Sequence, residues 1–249
     1  MKFDNKVAII TGGTDGIGAK VAELLYAQGA SVVIASRSKA HVEKQAKALS
    51  PDGSRVLGIV CDVSDPEAVC LLVQHAVSRF GKIDFAINSA GITGESGKLI
   101  PDHSIENWNH VISTTPSGVF YCLKYEIPAM INNGGGAIVN LSAVNGMAGI
   151  IGLAPYTVAK HGVIGLTRTA ALEYATRNIR INAVAPGYVD TPKMHEFPDS
   201  IRREFAASHP MNRMATTEEV ASVIMFLLSD DASFCTGGVY PVDGGYLAQ

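Results

Sequence analysis

The chain has 249 residues, of which 47% are hydrophobic and 17% charged, with a net charge of −3 and a pI near 6.2. That length supplies one large core in an α/β chain. The charge balance leaves no basic footprint for nucleic acid and no polybasic membrane patch.

Met1 to Gly12 run straight into a short apolar segment, with no basic stretch followed by a long apolar one, so no signal peptide is expected. No stretch approaches ~20 uninterrupted apolar residues, so no membrane span is expected. Cys61, Cys70, Cys122 and Cys235 are scattered without a CxxC pair. Reduced thiols in a cytoplasmic protein are the simplest reading. The histidines are spread singly, and no metal site is predicted.

In chain order, strand-like runs fall at 7–10, 31–35, 56–61, 85–87, 137–141, 180–185 and 239–242. Between them lie segments with apolar residues three and four apart, such as Val21-Ala22-Leu24-Leu25 and Val220-Val223-Ile224-Phe226-Leu227. Alternating strands and helices predict an α/β fold: a single doubly wound domain over 1–249 with a parallel sheet covered on both faces. Residues 190–212, rich in Pro, Met, Phe and charge, read as an excursion above the sheet, a lid expected to stay mobile until ligand binds.

The first strand ends in Thr11-Gly12-Gly13-Thr14-Asp15-Gly16-Ile17-Gly18 and a helical pattern follows at once. Glycines there allow a tight turn and let backbone N–H groups approach a pyrophosphate at a helix N-terminus. Alone, such a turn is also an ordinary strand–helix connection. The second strand ends in Ser36-Arg37-Ser38. A site for NAD(H) is expected to place a carboxylate there against the ribose. Ser36 leaves room instead and Arg37 offers a planar cation to a 2′-phosphate, so NADP(H) is favoured over NAD(H). Asp15 weighs against that phosphate, and Arg37 also reads as a solvated residue at a helix start. Asp62, followed by Val63 at the end of strand three, has two readings, an acceptor for the adenine amino group or a helix N-cap.

Further along stand Asn88-Ser89-Ala90-Gly91, Tyr156-Thr157-Val158-Ala159-Lys160 and Pro186-Gly187-Tyr188-Val189-Asp190-Thr191. With the glycine turn, Asp62, and the ending Thr236-Gly237-Gly238 and Val242-Asp243-Gly244-Gly245, these motifs resemble the short-chain dehydrogenase/reductase family over essentially the whole chain. The resemblance implies a seven-stranded Rossmann sheet, a nicotinamide cofactor, a small carbonyl or alcohol substrate and a homotetramer. It also implies cofactor contacts at Gly12, Thr14, Asp15, Gly16, Ile17, Gly18, Ser36, Arg37, Ser38, Asp62, Val63, Asn88, Ala90, Gly91, Tyr156, Lys160, Pro186, Gly187, Val189 and Thr191.

Tyr156 and Lys160 are four apart, which on a helix puts both on one face. An adjacent ammonium is expected to lower the phenol's pKa from ~10 and so make Tyr156 a usable proton donor or acceptor near neutrality. By the resemblance, Lys160 also holds the nicotinamide ribose.

Two positions depart from the family pattern. The serine expected thirteen residues before the tyrosine is Ala143. Ser142 precedes it, on the opposite face if the strand is regular. Asn145 offers an amide N–H nearby, or simply forms the turn before Gly146. The expected asparagine in Trp108 to Phe120 is Thr115, whose hydroxyl has the option of bonding to the preceding turn; Pro116 follows and favours a kink. Losing one preorganised donor typically costs ~10²–10³ in rate, so an impaired oxidoreductase is the first expectation. A non-redox NADP(H)-binding protein on the same scaffold (pseudoenzyme, regulator, isomerase or cyclase) is the alternative. The substrate region implied by the resemblance includes Ala143, Asn145, Leu153, Tyr188, Met194 and Phe197, an apolar wall.

Overall fold

The computed structural model describes residues 1–249. Seven strands, β1 (Val7–Thr11), β2 (Ser31–Ser36), β3 (Val56–Val60), β4 (Phe85–Asn88), β5 (Gly136–Leu141), β6 (Ile179–Pro186) and β7 (Val239–Val242), form one sheet in the order β3-β2-β1-β4-β5-β6-β7. Every pairing is parallel. The seven predicted strands are all present, each within a residue of its expected ends: most gain a residue where ladder hydrogen bonds run past the apolar run, and β3 stops one short, at Val60.

The helices are α1 (Gly16–Ala27), α2 (Lys39–Leu49), α3 (Pro66–Phe80), α4 (Ile105–Thr114), α5 (Pro116–Asn132), α6 (Ala154–Tyr174), α7 (Asp199–Ala207) and α8 (Thr217–Leu228). They cover both faces. Alternation along each strand divides the core: Ile10, Ile34 and Val139 pack with Val21, Leu25 and Ile224 on one side, while Ile9, Val33 and Ile138 pack with Leu72, Val119 and Val163 on the other. Such continuously buried strands are what a two-faced parallel sheet requires. Arg180 closes the C-terminus of α8, donating to the carbonyls of Leu227 at 2.7 Å, Leu228 at 3.3 Å and Ser229 at 3.1 Å.

Strand order reverses at β1, which has β2 on one side and β4 on the other. The register aligns Thr11 with Asn88, Asn88 with Asn140, and Asn140 with Ala183. The chain therefore leaves β1, β4 and β5 at one level, with β6 running on to Pro186, above the switch point where doubly wound sheets bind ligands. Gly18 sets the depth of α1 there. A Cβ on Gly18 would lie 2.3 Å from the Gly12 carbonyl oxygen, so only glycine lets the helix start that close to the strand end.

Gly18→Ala is accordingly expected to push α1 off β1 and cost ~1–3 kcal/mol, as overpacking of a closed contact does; chemical denaturation would show it as a lowered midpoint with unchanged slope, and an unaltered midpoint would deny the contact its role.

Candidate functional site

The glycine turn has the conformation that its residues allow. Gly12 and Gly16 adopt φ +67° and +52°, in the left-handed region that side chains disfavour. A Cβ on Gly12 would meet the Ala90 nitrogen at 3.1 Å, so the turn and the loop after β4 touch through backbone. A Cβ on Gly16 would meet the Thr191 methyl at 3.3 Å, which places Thr191 over the turn. Asp15 caps α1 and accepts from Gly16 N–H at 2.7 Å. Its carboxylate thus occupies part of the helix N-terminus.

Beside the turn lies a cavity of about 170 Å³ lined by Gly12, Ser36, Arg37, Asp62, Val63 and Gly91, among others. Ser36 Oγ is buried there without a partner, an uncommon state for a hydroxyl that invites a ligand. Arg37 is exposed at the rim. Asp62 Oδ1 accepts from Ser64 N–H at 2.9 Å and Ser64 Oγ at 2.8 Å. Burial opposes its ionisation, but those bonds and the Arg37 charge prevail and hold the carboxyl below its usual range. The N-cap of α3 is Asp65, so Asp62 belongs to the turn and the cavity wall. Ser38 caps α2. An orphaned hydroxyl, a carboxylate acceptor, a rim guanidinium and a Gly12–Gly91 cradle that side chains would fill suit an extended dinucleotide.

Asn88, expected to face the cofactor, turns its side chain into the protein interior. It is buried, and Nδ2 donates to Asn140 Oδ1 at 3.0 Å and Glu126 Oε2 at 3.1 Å. Only its backbone remains for the cleft. The next residues, Ala90 and Gly91, do reach it. A Cβ on Gly91 would sit 3.3 Å from Thr115 Oγ1 and 3.6 Å from Lys160 Nζ.

Tyr156 and Lys160 share one face of α6, as their spacing requires, with Nζ 5.5 Å from the phenol ring centroid. Lys160 is buried and Nζ donates to the Leu141 carbonyl at 2.7 Å. The expected acidification of the phenol is not what the structure gives. Burial first, then neighbouring Tyr188, push the Tyr156 phenol up to about 12, while burial brings the Lys160 ammonium down to about 8. The reason is geometric: the ammonium is spent on a carbonyl, and desolvation outweighs its attraction for a phenolate.

Ala143 is buried beside α6 at the start of a turn over Val144–Gly146. Ser142 points the other way: Oγ donates to the Lys160 carbonyl at 3.0 Å, so it takes no place in the catalytic face. Asn145 is buried, and Nδ2 has no partner. Thr115 is buried at the break between α4 and α5, with Pro116 opening the second helix. Instead of bonding to its preceding turn, Thr115 Oγ1 accepts from Ile92 N–H at 3.3 Å and braces the loop after Gly91.

Pro186 ends β6, and Val189 bridges to Ala215. Tyr188 stacks on Phe205 of α7, with centroids 4.2 Å apart and planes at 11°, and Phe197 meets Phe205 edge-on. Met194 lies in the short turn Pro192–Glu196; Leu153 precedes α6. Two buried groups here escape the sequence motifs. His209 Nε2 accepts from Tyr188 N–H at 3.1 Å, and Nδ1 faces the Phe205 carbonyl at 2.9 Å, tying α7 to the end of β6. Glu126 is fully buried on α5. Its one legible signal is a carboxyl amid the core-facing run Cys122, Leu123, Ile127 and Met130. A second hollow, about 490 Å³, lies between α3 and α5 around Val77, Lys82, Asn132 and Asn133, and contains no predicted site residue.

Residues 12–247 match a family model described as enoyl-(acyl carrier protein) reductase. The chain is 45% identical over 248 residues to the cyclohexanol dehydrogenase of Acinetobacter sp. (strain SE19), covering 100% of this chain and 97% of that one. It is 40% identical over 249 residues to the meso-2,3-butanediol dehydrogenase of Serratia marcescens, covering 100% and 97%. The crystal structure of levodione reductase superposes with a TM-score of 0.93 at 38% identity over 99% of each chain. The glycine turn, the Tyr156/Lys160 face and a match along nearly the whole length agree: the chain belongs to the short-chain dehydrogenase/reductase family.

Proposed function

We propose that the protein is an NADP(H)-dependent oxidoreductase that interconverts a ketone or aldehyde with an alcohol, slowed by Ala143 and Thr115. The observation that carries this reading is Tyr156 and Lys160 on one face of α6, with Lys160 Nζ close behind Gly91. The nicotinamide, when bound, supplies or accepts the hydride. Gly12, Gly16, Ile17, Gly18 and Thr14 hold the pyrophosphate, with Pro186, Gly187, Val189 and Thr191 across the cleft. Ser36 and Arg37 take the 2′-phosphate, with Ser38 beside them, and Asp62 and Val63 border the adenine. Asp15, already engaged by Gly16 N–H, tempers the preference for the phosphate without supplying the ribose carboxylate of an NAD(H) site.

Tyr156 gives a proton from its phenol oxygen to the carbonyl oxygen in reduction and takes one from the alcohol in oxidation. Burial holds the Tyr156 phenol protonated at neutral pH, so it is ready to donate in reduction and must lose its proton before it acts as base in oxidation. Ala143 presents a methyl where a hydroxyl would brace the developing oxyanion. Thr115 is committed to Ile92 N–H and cannot reach as an asparagine amide would. The substrate wall of Leu153, Tyr188, Met194 and Phe197 is apolar, and the relatives named above act on cyclohexanol and butanediol; a small, uncharged, preferably cyclic secondary alcohol or ketone is the substrate class. Leu172, Phe226 and Phe234 are large apolar side chains left in solvent, which supports a homotetramer, and four free thiols support a cytoplasmic location. No helix is long and apolar enough to cross a membrane. A non-redox NADP(H)-binding role, as regulator, isomerase or cyclase, is the second reading; Ala143 and Thr115 together favour it, and steady oxidation of NADPH by a cyclic ketone would dismiss it.

Three outcomes are expected. The pair A143S and T115N raises kcat for ketone reduction by ~10²–10³, the worth of a preorganised donor, and no gain would refute the assignment of those positions. Arg37→Ala weakens NADPH binding about tenfold or more while NADH binding holds, the loss of a charge-assisted bond; equal effects on both cofactors, by titration of intrinsic fluorescence, would remove Arg37 from the phosphate site. Alcohol oxidation rises with pH from neutrality upward, because a phenol with a raised pKa must lose its proton to act as base, whereas reduction stays level across neutrality. Opposite pH profiles would contradict the protonation state of Tyr156.

A further inference from the structure

A single-file chain of buried polar groups runs beneath the cleft from α6 to α5, and its polarity is fixed link by link. Thr167 Oγ1 donates to the Val163 carbonyl at 2.8 Å and so can only accept from Asn140 Nδ2, at 2.9 Å. That leaves Asn140 Oδ1 to accept from Asn88 Nδ2 at 3.0 Å, whose second hydrogen goes to Glu126 Oε2 at 3.1 Å. Both hydrogens of the Asn88 amide are now used. Two acceptors remain at the end of the chain, Asn88 Oδ1 and Glu126 Oε1, each buried without a partner. Asn88, Glu126, Asn140 and Thr167 are all shut off from solvent. Two orphaned buried acceptors on directly bonded residues are costly, a cost that a single shared proton would remove.

We propose that Glu126 is held as the neutral carboxylic acid, donating its Oε1 proton to Asn88 Oδ1 to close a cyclic acid–amide pair, and that through Asn88 it is the positioning residue for the Ser89–Gly91 wall of the cofactor cleft. Burial independently favours the neutral acid, pushing the Glu126 carboxyl up to about 7 against the lowering effect of the Asn88 bond. No opposite charge faces it. Cys122, one turn back on α5, is a thiol that burial raises first and the Glu126 carboxyl second, with Cys61 behind it. From β4, β5 and α6 the facing groups are Asn88, Asn140 and Thr167, all neutral, and the Lys160 ammonium is turned to Leu141. The wall that Asn88 anchors is intolerant of shifts. Ala90 backbone lies within 3.1–3.2 Å of where a Gly12 Cβ would be, and Gly91 is packed against Thr115 and Lys160.

The test compares wild type with Glu126→Gln, whose amide reproduces both bonds of the pair and cannot ionise, and with Glu126→Ala, which makes neither. Infrared spectroscopy of the wild type at pH 6 is expected to show the carbonyl band of an un-ionised carboxylic acid, absent in E126Q and fading as pH rises through about 7. The sign for stability follows. The unfolded carboxyl loses its proton near 4.5 and the folded one near about 7, so the wild-type Tm falls relative to E126Q as pH climbs through that interval and levels off above it. Wild-type NADPH affinity is expected to weaken about two- to tenfold over the same rise, the worth of one hydrogen bond, to stay level in E126Q, and to be low at every pH in E126A. The infrared and Tm measurements need no cofactor, so they stand even if the oxidoreductase reading fails. Absence of the acid band at pH 6 overturns the protonation, as does a wild-type Tm profile parallel to that of E126Q. An acid band with identical cofactor profiles in wild type and E126Q overturns the positioning role. If E126Q does not fold, the band in the wild type decides alone.

Discussion

Backbone meets backbone at the centre of this molecule. Gly18 lets α1 begin against the Gly12 carbonyl, and Gly12 in turn lets the first loop close on Ala90. Side chains at either place would hold the strand end, the helix and the β4 loop apart by the breadth of a methyl group. The contact brings the positive end of a helix dipole to the switch point of the sheet. It also fixes how far the Gly91 wall stands from Lys160.

Helix α6 is the second fixed body. It is pinned to the end of β5 by reciprocal bonds: Lys160 Nζ reaches the Leu141 carbonyl and Ser142 Oγ reaches the Lys160 carbonyl. A third tie, Thr167 to Asn140, lies deeper. Tyr156 is thereby carried on a helix whose rotation is set by polar bonds in addition to apolar packing. The same bonds explain the electrostatics. An ammonium that bonds a carbonyl inside the protein has little left to stabilise a phenolate, so desolvation governs both residues, upward for Tyr156 and downward for Lys160.

The departures at Ala143 and Thr115 are absorbed without disorder in the site. Ala143 brings no polar atom of its own into the interior, the nearby Asn145 amide is left without a partner, and the Thr115 hydroxyl finds Ile92 N–H. The break at Pro116 falls where two helices must diverge, so a missing backbone donor costs little there. The glycine turn and the Tyr156/Lys160 face stand beside both departures unaltered, because they are built from different residues.

The sequence by itself determined the layers, the strand sequence and the binding turn, because a two-faced parallel sheet demands continuous apolar runs and because a left-handed glycine has few substitutes. It also determined that Tyr156 and Lys160 share a helical face, since i,i+4 spacing is local geometry. Partnership was decided only in three dimensions. Asn88 carries the cofactor-loop motif yet spends its side chain on Asn140 and Glu126, residues 52 and 38 positions away. Glu126 and His209 look ordinary in the chain and become buried, bonded groups only once α5 and α7 are docked. The protonation of Tyr156 likewise depends on how much protein surrounds the phenol, and burial is a sum over the whole fold that no neighbouring residue in the chain encodes.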